Sequence, residues 1–173
     1  MSVHLIIDGY NLIRQSARWA PLDRRDLQEG REALIDALAA YRKLRPHRIT
    51  VVFDAAAAPG FEPRRDRRGG VEIRFSDYGQ SADTLIHRMA AAAREQAMVV
   101  SSDRAVGDAA AACGATVIDA PTFENRLDQA LAMNGAGDPE PPGDGWVPTT
   151  RKKGPRRRLP KRQRRIGARL RKL

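Results

Sequence analysis

Four aspartates, Asp8, Asp54, Asp83 and Asp103, lie far apart along the chain, each at the end of an apolar run or the start of a helical one. Carboxylates gathered together repel one another unless something positive sits among them. A hard divalent cation with oxygen ligands meets that need, and Mg²⁺ or Mn²⁺ suits carboxylate sites that keep water and take phosphate oxygens. Each residue also has a plainer reading by itself. Asp83 could complement the positive end of a helix, Asp103 could cap one, Asp54 could be a turn residue, and Asn11 could cap the piece after Asp8. Their joint placement carries the argument.

That placement depends on the elements around them. Val3 to Ile7 reads as a short buried strand that stops at Asp8, and Gly9 after it permits a tight turn. A short helical piece to about Trp19 follows. Leu27, Leu34, Ile35, Leu38 and Tyr41 then predict an amphipathic helix over Arg24–Arg45, ended by Pro46. Arg48 to Asp54 is a second buried strand. A loop carrying Arg64, Arg65, Arg67 and Arg68 around Asp66 leads to a less buried strand, Val71–Phe75. Ser81 suits the N-cap of a helix over Ala82–Gln96, with Asp83 in its first turn. Ala97–Ser101 and Ala115–Ile118 read as further strands, and Arg104–Cys113 and Thr122–Met133 as helices. Strands alternating with helices predict an α/β fold with a doubly wound parallel sheet. In such a sheet all strand carboxyl ends lie on one rim, where ligands bind, so Asp8, Asp54, Asp83 and Asp103 converge there as expected metal ligands.

Composition narrows the setting. The chain has 173 residues, 42% of them apolar, enough for one domain with its own core. No apolar run approaches the roughly 20 residues needed to span a membrane, and no leader-like segment precedes the first strand, so a cytoplasmic location without membrane partners is expected. Cys113 is the single cysteine, which excludes an internal disulfide and a cysteine-rich zinc site; it reads as a small buried apolar residue. The net charge of +10 is unevenly placed. Arg151–Leu173 holds 13 of the 31 Lys/Arg and none of the 21 Asp/Glu, leaving 18 basic and 21 acidic residues before it. A Gly/Pro-rich linker over 134–150 separates the two parts. Such a basic block points to a polyanionic partner, most often nucleic acid, with Arg156, Arg157, Arg158, Lys161, Arg162, Arg164 and Arg165 as its contacts.

Other chemistries find little support. His4, His47 and His87 show no spacing for zinc ligation or acid–base pairing and read as structural. Trp19 and Trp146 read as packing or linker residues, and Asp108 and Asp119 as solvated surface. A phosphoaspartyl hydrolase would want a second Asp two positions after Asp8, where this chain has Tyr10. A receiver domain would want paired acids before the end of the first strand and a Lys after the fifth, and neither is evident. No small-molecule cofactor is implied.

The pieces Leu5-Ile6-Ile7-Asp8-Gly9-Tyr10-Asn11, Val51-Val52-Phe53-Asp54, Gly70–Phe75, Ser81-Ala82-Asp83 and Val99-Val100-Ser101-Ser102-Asp103-Arg104 occur in an order that resembles the NYN domain family, in its YacP-like branch of PIN-like ribonucleases. The resemblance covers about residues 3–130. It implies a three-layer sheet of PIN-like type with strand order 3-2-1-4-5, and an acidic Mg²⁺/Mn²⁺ site that cleaves RNA. Asp8, Asp83 and Asp103 carry over as metal ligands, Asp54 less directly, with Asn11 and Ser101 as polar supports; Asp8, Asn11, Asp83 and Asp103 would form the catalytic set. Two ions about 3.5–4 Å apart would activate a water for in-line displacement, leaving a 5′-phosphate and a 3′-hydroxyl. Arg14, Arg104 and the Arg64–Arg68 loop would hold the RNA backbone with Asn11 and Ser101. The expected organisation is a nuclease domain over 1–133, the linker, and a disordered or helical RNA-binding tail over 151–173. The expected function is a metal-dependent endoribonuclease acting on mRNA or ribosome-associated RNA. A non-catalytic RNA- or ribosome-binding protein and a PIN-type toxin ribonuclease are the alternatives.

Overall fold

A computed structural model describes residues 3–57 and 64–135, with Gly167 alone beyond them. The tail and the linker beyond Gly135 lie outside the described residues, as does Trp146.

Six strands form one sheet in the order β3-β4-β2-β1-β5-β6: β1 His4–Asp8, β2 Arg48–Phe53, β3 Arg65–Arg68, β4 Val71–Phe75, β5 Ala97–Val100 and β6 Thr116–Ile118. All pairs are parallel except β3 with β4. The five expected strands thus lie in the order 3-2-1-4-5, with β1 and β5 adjacent at the switch point. The sixth, β3, corrects the reading of Arg64–Arg68 as a loop. Its four side chains are all exposed, so no apolar alternation marks it. Gly69 and Gly70, at φ of 56° and 84°, turn the chain back on itself, as a two-residue hairpin requires. A short, charged edge strand of this kind also resists pairing with other chains.

Helices cover both sheet faces. On one side α1 (Gly9–Gln15), α2 (Ala20–Arg25), α3 (Leu27–Leu44) and α6 (Ala120–Gly135) pack over Leu5, Ile7, Val51, Phe53 and Val100. On the other, α4 (Ala82–Ala93) and α5 (Arg104–Ala112) pack over Ile6, Val52 and Val99. The expected helix over Arg24–Arg45 is broken at Asp26, whose carboxylate accepts from Gln28 N at 2.7 Å and starts α3 afresh. The first helix ends at Gln15 rather than near Trp19, and α6 runs from Ala120 to Gly135, past the expected boundary at 133. Trp19 is buried in the core. Cys113 is only half-buried; it ends α5, with its Sγ 3.4 Å from His87 Nε2. His4 is buried and bonded to Thr50 Oγ1 at 2.9 Å, and burial pushes its pKa down to about 4. No helix among the described residues is long and apolar enough to cross a membrane.

Candidate active site

Asp8 is the last residue of β1 and also the N-cap of α1. Its Oδ1 accepts from Asn11 N at 3.2 Å, and its Oδ2 from Ser101 Oγ at 3.3 Å. No tight turn is needed at Gly9, which opens the helix directly. Glycine is required there for another reason: a Cβ would lie 2.3 Å from the Phe53 ring. The start of α1 is therefore pressed against the end of β2, and Asp8 beside it is 8% exposed. Burial pushes its pKa up to about 6, with the charges of Asp83 and Asp103 adding to the effect.

The other three carboxylates come from the expected places. Asp83 sits in the first turn of α4 behind the Ser81 cap; burial, then Asp103 and Asp54, raise its pKa. Asp103 is the N-cap of α5 and accepts from Ala105 N and Val106 N at 2.8 and 3.3 Å. Asp54 follows β2 and accepts from Ala56 N at 2.9 Å. Asp54 and Asp103 thus fill the plainer capping and turn roles as well as standing on the rim. Asp8, Asn11, Arg14, Gln15, Asp54 and Asp83 line a cleft of about 500 Å³. The charges influence one another across four segments, yet among the described residues no three His, Cys, Asp or Glu side chains stand close enough to hold a metal ion. The carboxylates are within electrostatic reach without forming a finished cage.

Asn11 does not cap with its side chain. Its Oδ1 accepts from Ser102 N at 2.8 Å, tying the start of α1 to the segment after β5. Ser101, buried, links Asp8 to the backbone of Asp103, whose N donates to its Oγ at 3.1 Å. Ser102 is a support that sequence reasoning misses: its Oγ accepts from Ala120 N at 3.0 Å and fixes the same segment to α6. Gln15 is another, donating to Asn11 Oδ1 at 3.5 Å. Ser102 carries no local signal, since its partner is set by the packing of another segment, whereas Gln15 lies one helical turn from Asn11 in α1.

The arginines divide. Arg14 lies beside the carboxylates with its guanidinium 5.3 Å from the Tyr10 ring centre and 3.9 Å from Asp23 Oδ2. Arg104 is exposed and 3.8 Å from Asp108. Arg64 pairs with Asp77 at 2.9 Å, Arg65 with Glu72 at 2.9 Å and Arg68 with Asp36 at 3.6 Å. Arg65, Arg67 and Arg68 lie on β3, three strands from β1, and do not line the carboxylate cleft. Asp119 is exposed and caps the start of α6 through Thr122.

The profile of the YacP-like NYN domain matches residues 5–137. The uncharacterized protein YacP of Bacillus subtilis (strain 168) is 33% identical over 88 residues, 51% of this chain and 51% of that protein, so the match spans about half the length of that relative. The crystal structure of Rae1 (YacP) from Bacillus subtilis superposes with a TM-score of 0.68 at 28% identity, over 78% of each chain. The crystal structure of a tryptophan-to-leucine mutant of that same protein gives 0.66 at 26% identity, over 76% of this chain and 78% of that one.

Proposed function

The chain belongs to the YacP-like NYN domain family and has a PIN-like nuclease fold; on that premise we propose that it is an endoribonuclease dependent on Mg²⁺ or Mn²⁺ and acting on mRNA or ribosome-associated RNA. One observation carries the reading: a strand-end carboxylate, Asp8, is held in a nearly buried position, and burial first, then the charges of Asp83 and Asp103, push its pKa up. Proteins rarely bury a carboxylate among others without a use for it. The surrounding donors are carboxylate, hydroxyl and amide oxygens, and this set fits a hard cation better than a zinc ion, which favours nitrogen and sulfur.

Asp8, Asp83 and Asp103 would hold the ion, with Asp54 at the edge of the cleft. When bound, the ion would activate a water and stabilise the oxygens of an in-line displacement. The chain's own residues prepare the ground. The Asn11 N–H and the Ser101 hydroxyl each donate to Asp8, fixing both its oxygens and favouring its charged form. Asn11 and Ser101 also bind the β5–α5 segment, so that Asp103 is carried on the same support as Asp8. Arg14 lines the cleft and would take a substrate phosphate.

The test is a labelled single-stranded RNA incubated with Mn²⁺, Mg²⁺ or chelator, with product ends mapped. The wild type should cut internally only with metal, leaving 5′-phosphate and 3′-hydroxyl ends, and Asp8→Asn and Asp103→Asn should be inactive while folded. Undiminished cutting by both variants removes the mechanism. A second reading, a non-catalytic RNA- or ribosome-binding protein, draws on the finding that among the described residues no group of three His, Cys, Asp or Glu side chains is placed to hold a metal ion. RNA binding without turnover at any metal concentration would favour it.

A further inference from the structure

The α4 side of the sheet is only partly covered. α4 packs over Ile6 and Val99, whereas Arg48 and Arg65 keep side chains 60% and 66% exposed. Register places Arg48 beside His4, Glu72 beside Thr50 and Arg67, and Arg74 beside Val52 and Arg65. Laterally paired residues share a face, so four arginines stand with one glutamate on this side, a surplus of three positive charges. Glu72 is shared among three of them, at 3.2 Å from Arg48, 2.9 Å from Arg65 and 3.7 Å from Arg74. A guanidinium has five N–H donors and one carboxylate cannot use them all, so this cluster retains donors for an anion.

A cleft of about 520 Å³ lies between these strands and the far end of α4, lined by His4, Arg48, Arg74, Met89, Ala93 and Gln96. Small alanines at the end of α4 leave it open. α4 begins at Ala82, with Asp83 in its first turn at the acidic rim, and ends with Ala93 over this cleft. His4, Ile6 and Asp8 alternate onto the same face of β1, and four residues of strand span about 13 Å. Arg48, level with His4, therefore lies that far down the strands from Asp8, whereas Arg74 lies level with Asp8 two strands away, about 10 Å across the sheet; both separations exclude the face from the reacting bond and suit neighbouring phosphates.

We propose that this face, built on Arg48, Arg65, Arg67 and Arg74, holds the ribose-phosphate backbone of single-stranded RNA as it leaves the acidic rim. The proposal rests on the nuclease reading above. The need is electrostatic: a rim of four carboxylates repels RNA, and cations a few phosphates away can offset that repulsion without competing for the metal.

The experiment uses the full chain, so that the tail contributes equally to every variant. Binding of a long, fluorescently labelled single-stranded RNA is followed by anisotropy in chelator across a salt series, and cleavage of an RNA just long enough to cross the rim is followed with Mn²⁺. For Arg48→Gln/Arg74→Gln, the slope of log K against log salt should become shallower by about 1.4, at roughly 0.7 per lost phosphate contact on a single strand. Glu72→Gln, which adds a net positive charge, should tighten long-RNA binding. An unchanged slope in the double variant, or weaker binding by Glu72→Gln, overturns the proposal while wild-type cleavage leaves the nuclease reading standing. Failure of the wild type to cleave with any metal sinks the nuclease reading instead, and the binding series still reports on the face.

Discussion

Replacing Asp8 by Asn should stabilise the metal-free protein while abolishing its activity. The Asp8 carboxyl has a pKa of about 6 against an ordinary value of 3.8; burial is the main cause, and Asp83 and Asp103 add to it against the hydrogen bonds from Asn11 and Ser101. A shift of this size corresponds to about 3 kcal/mol. Since the folded-state value lies above the unfolded one, the folded protein binds the extra proton between pH 3.8 and about 6. Stability therefore falls as pH rises through that window, and above it the cost is present in full. Asn carries no charge and remains a good N-cap, able to accept from the Asn11 N–H. In chelator well above pH 6, Asp8→Asn should resist denaturant more than the wild type by about 3 kcal/mol, or melt roughly 6–12 °C higher in a protein of this size. Below pH 3.8 the two should converge. Adding Mg²⁺ or Mn²⁺ should stabilise the wild type at high pH and leave the variant nearly unmoved. A difference between the two proteins that does not change with pH, or an equal gain from metal in both, would refute the account of Asp8 as a strained ligand.

Three further outcomes rest on the same geometry. Ser101→Ala removes a donor that favours the charged form of Asp8, so the acid limb of the pH–rate profile should move to higher pH; an unmoved limb would show that Ser101 does not tune the carboxylate. Gly9→Ala forces a Cβ against the Phe53 ring and should cost about 1–3 kcal/mol in denaturant unfolding, whereas wild-type stability would mean that the ring moves freely. Tyr78 is 96% exposed in the loop between β4 and α4, on the rim that bears Asp83. Tyr78→Ala should weaken RNA binding by about 1–3 kcal/mol if a base stacks on it, and unchanged affinity by anisotropy would exclude that contact.

The amino-acid sequence by itself determined the outline. Apolar runs ending at Asp8 and Asp54, the Ser81-capped helix bearing Asp83, and Asp103 after β5 are local patterns, and a parallel sheet places all such ends on one rim whatever the packing details. The family resemblance is likewise carried by these short pieces in their order. The tertiary structure decided how the rim is held. The bond from Ser102 N to Asn11 Oδ1 joins residues 91 apart in sequence, and nothing local in either residue specifies it. The same applies to Ser101 against Asp8, and to Gly9, whose turn-like sequence hides a close approach of Phe53. β3 escapes a reading by pattern because its exposed arginines show no alternation, and the break at Asp26 escapes it because the leucine spacing runs through. Sequence periodicity reports which residues must be buried; which polar groups meet once they are buried depends on how segments distant in the chain pack.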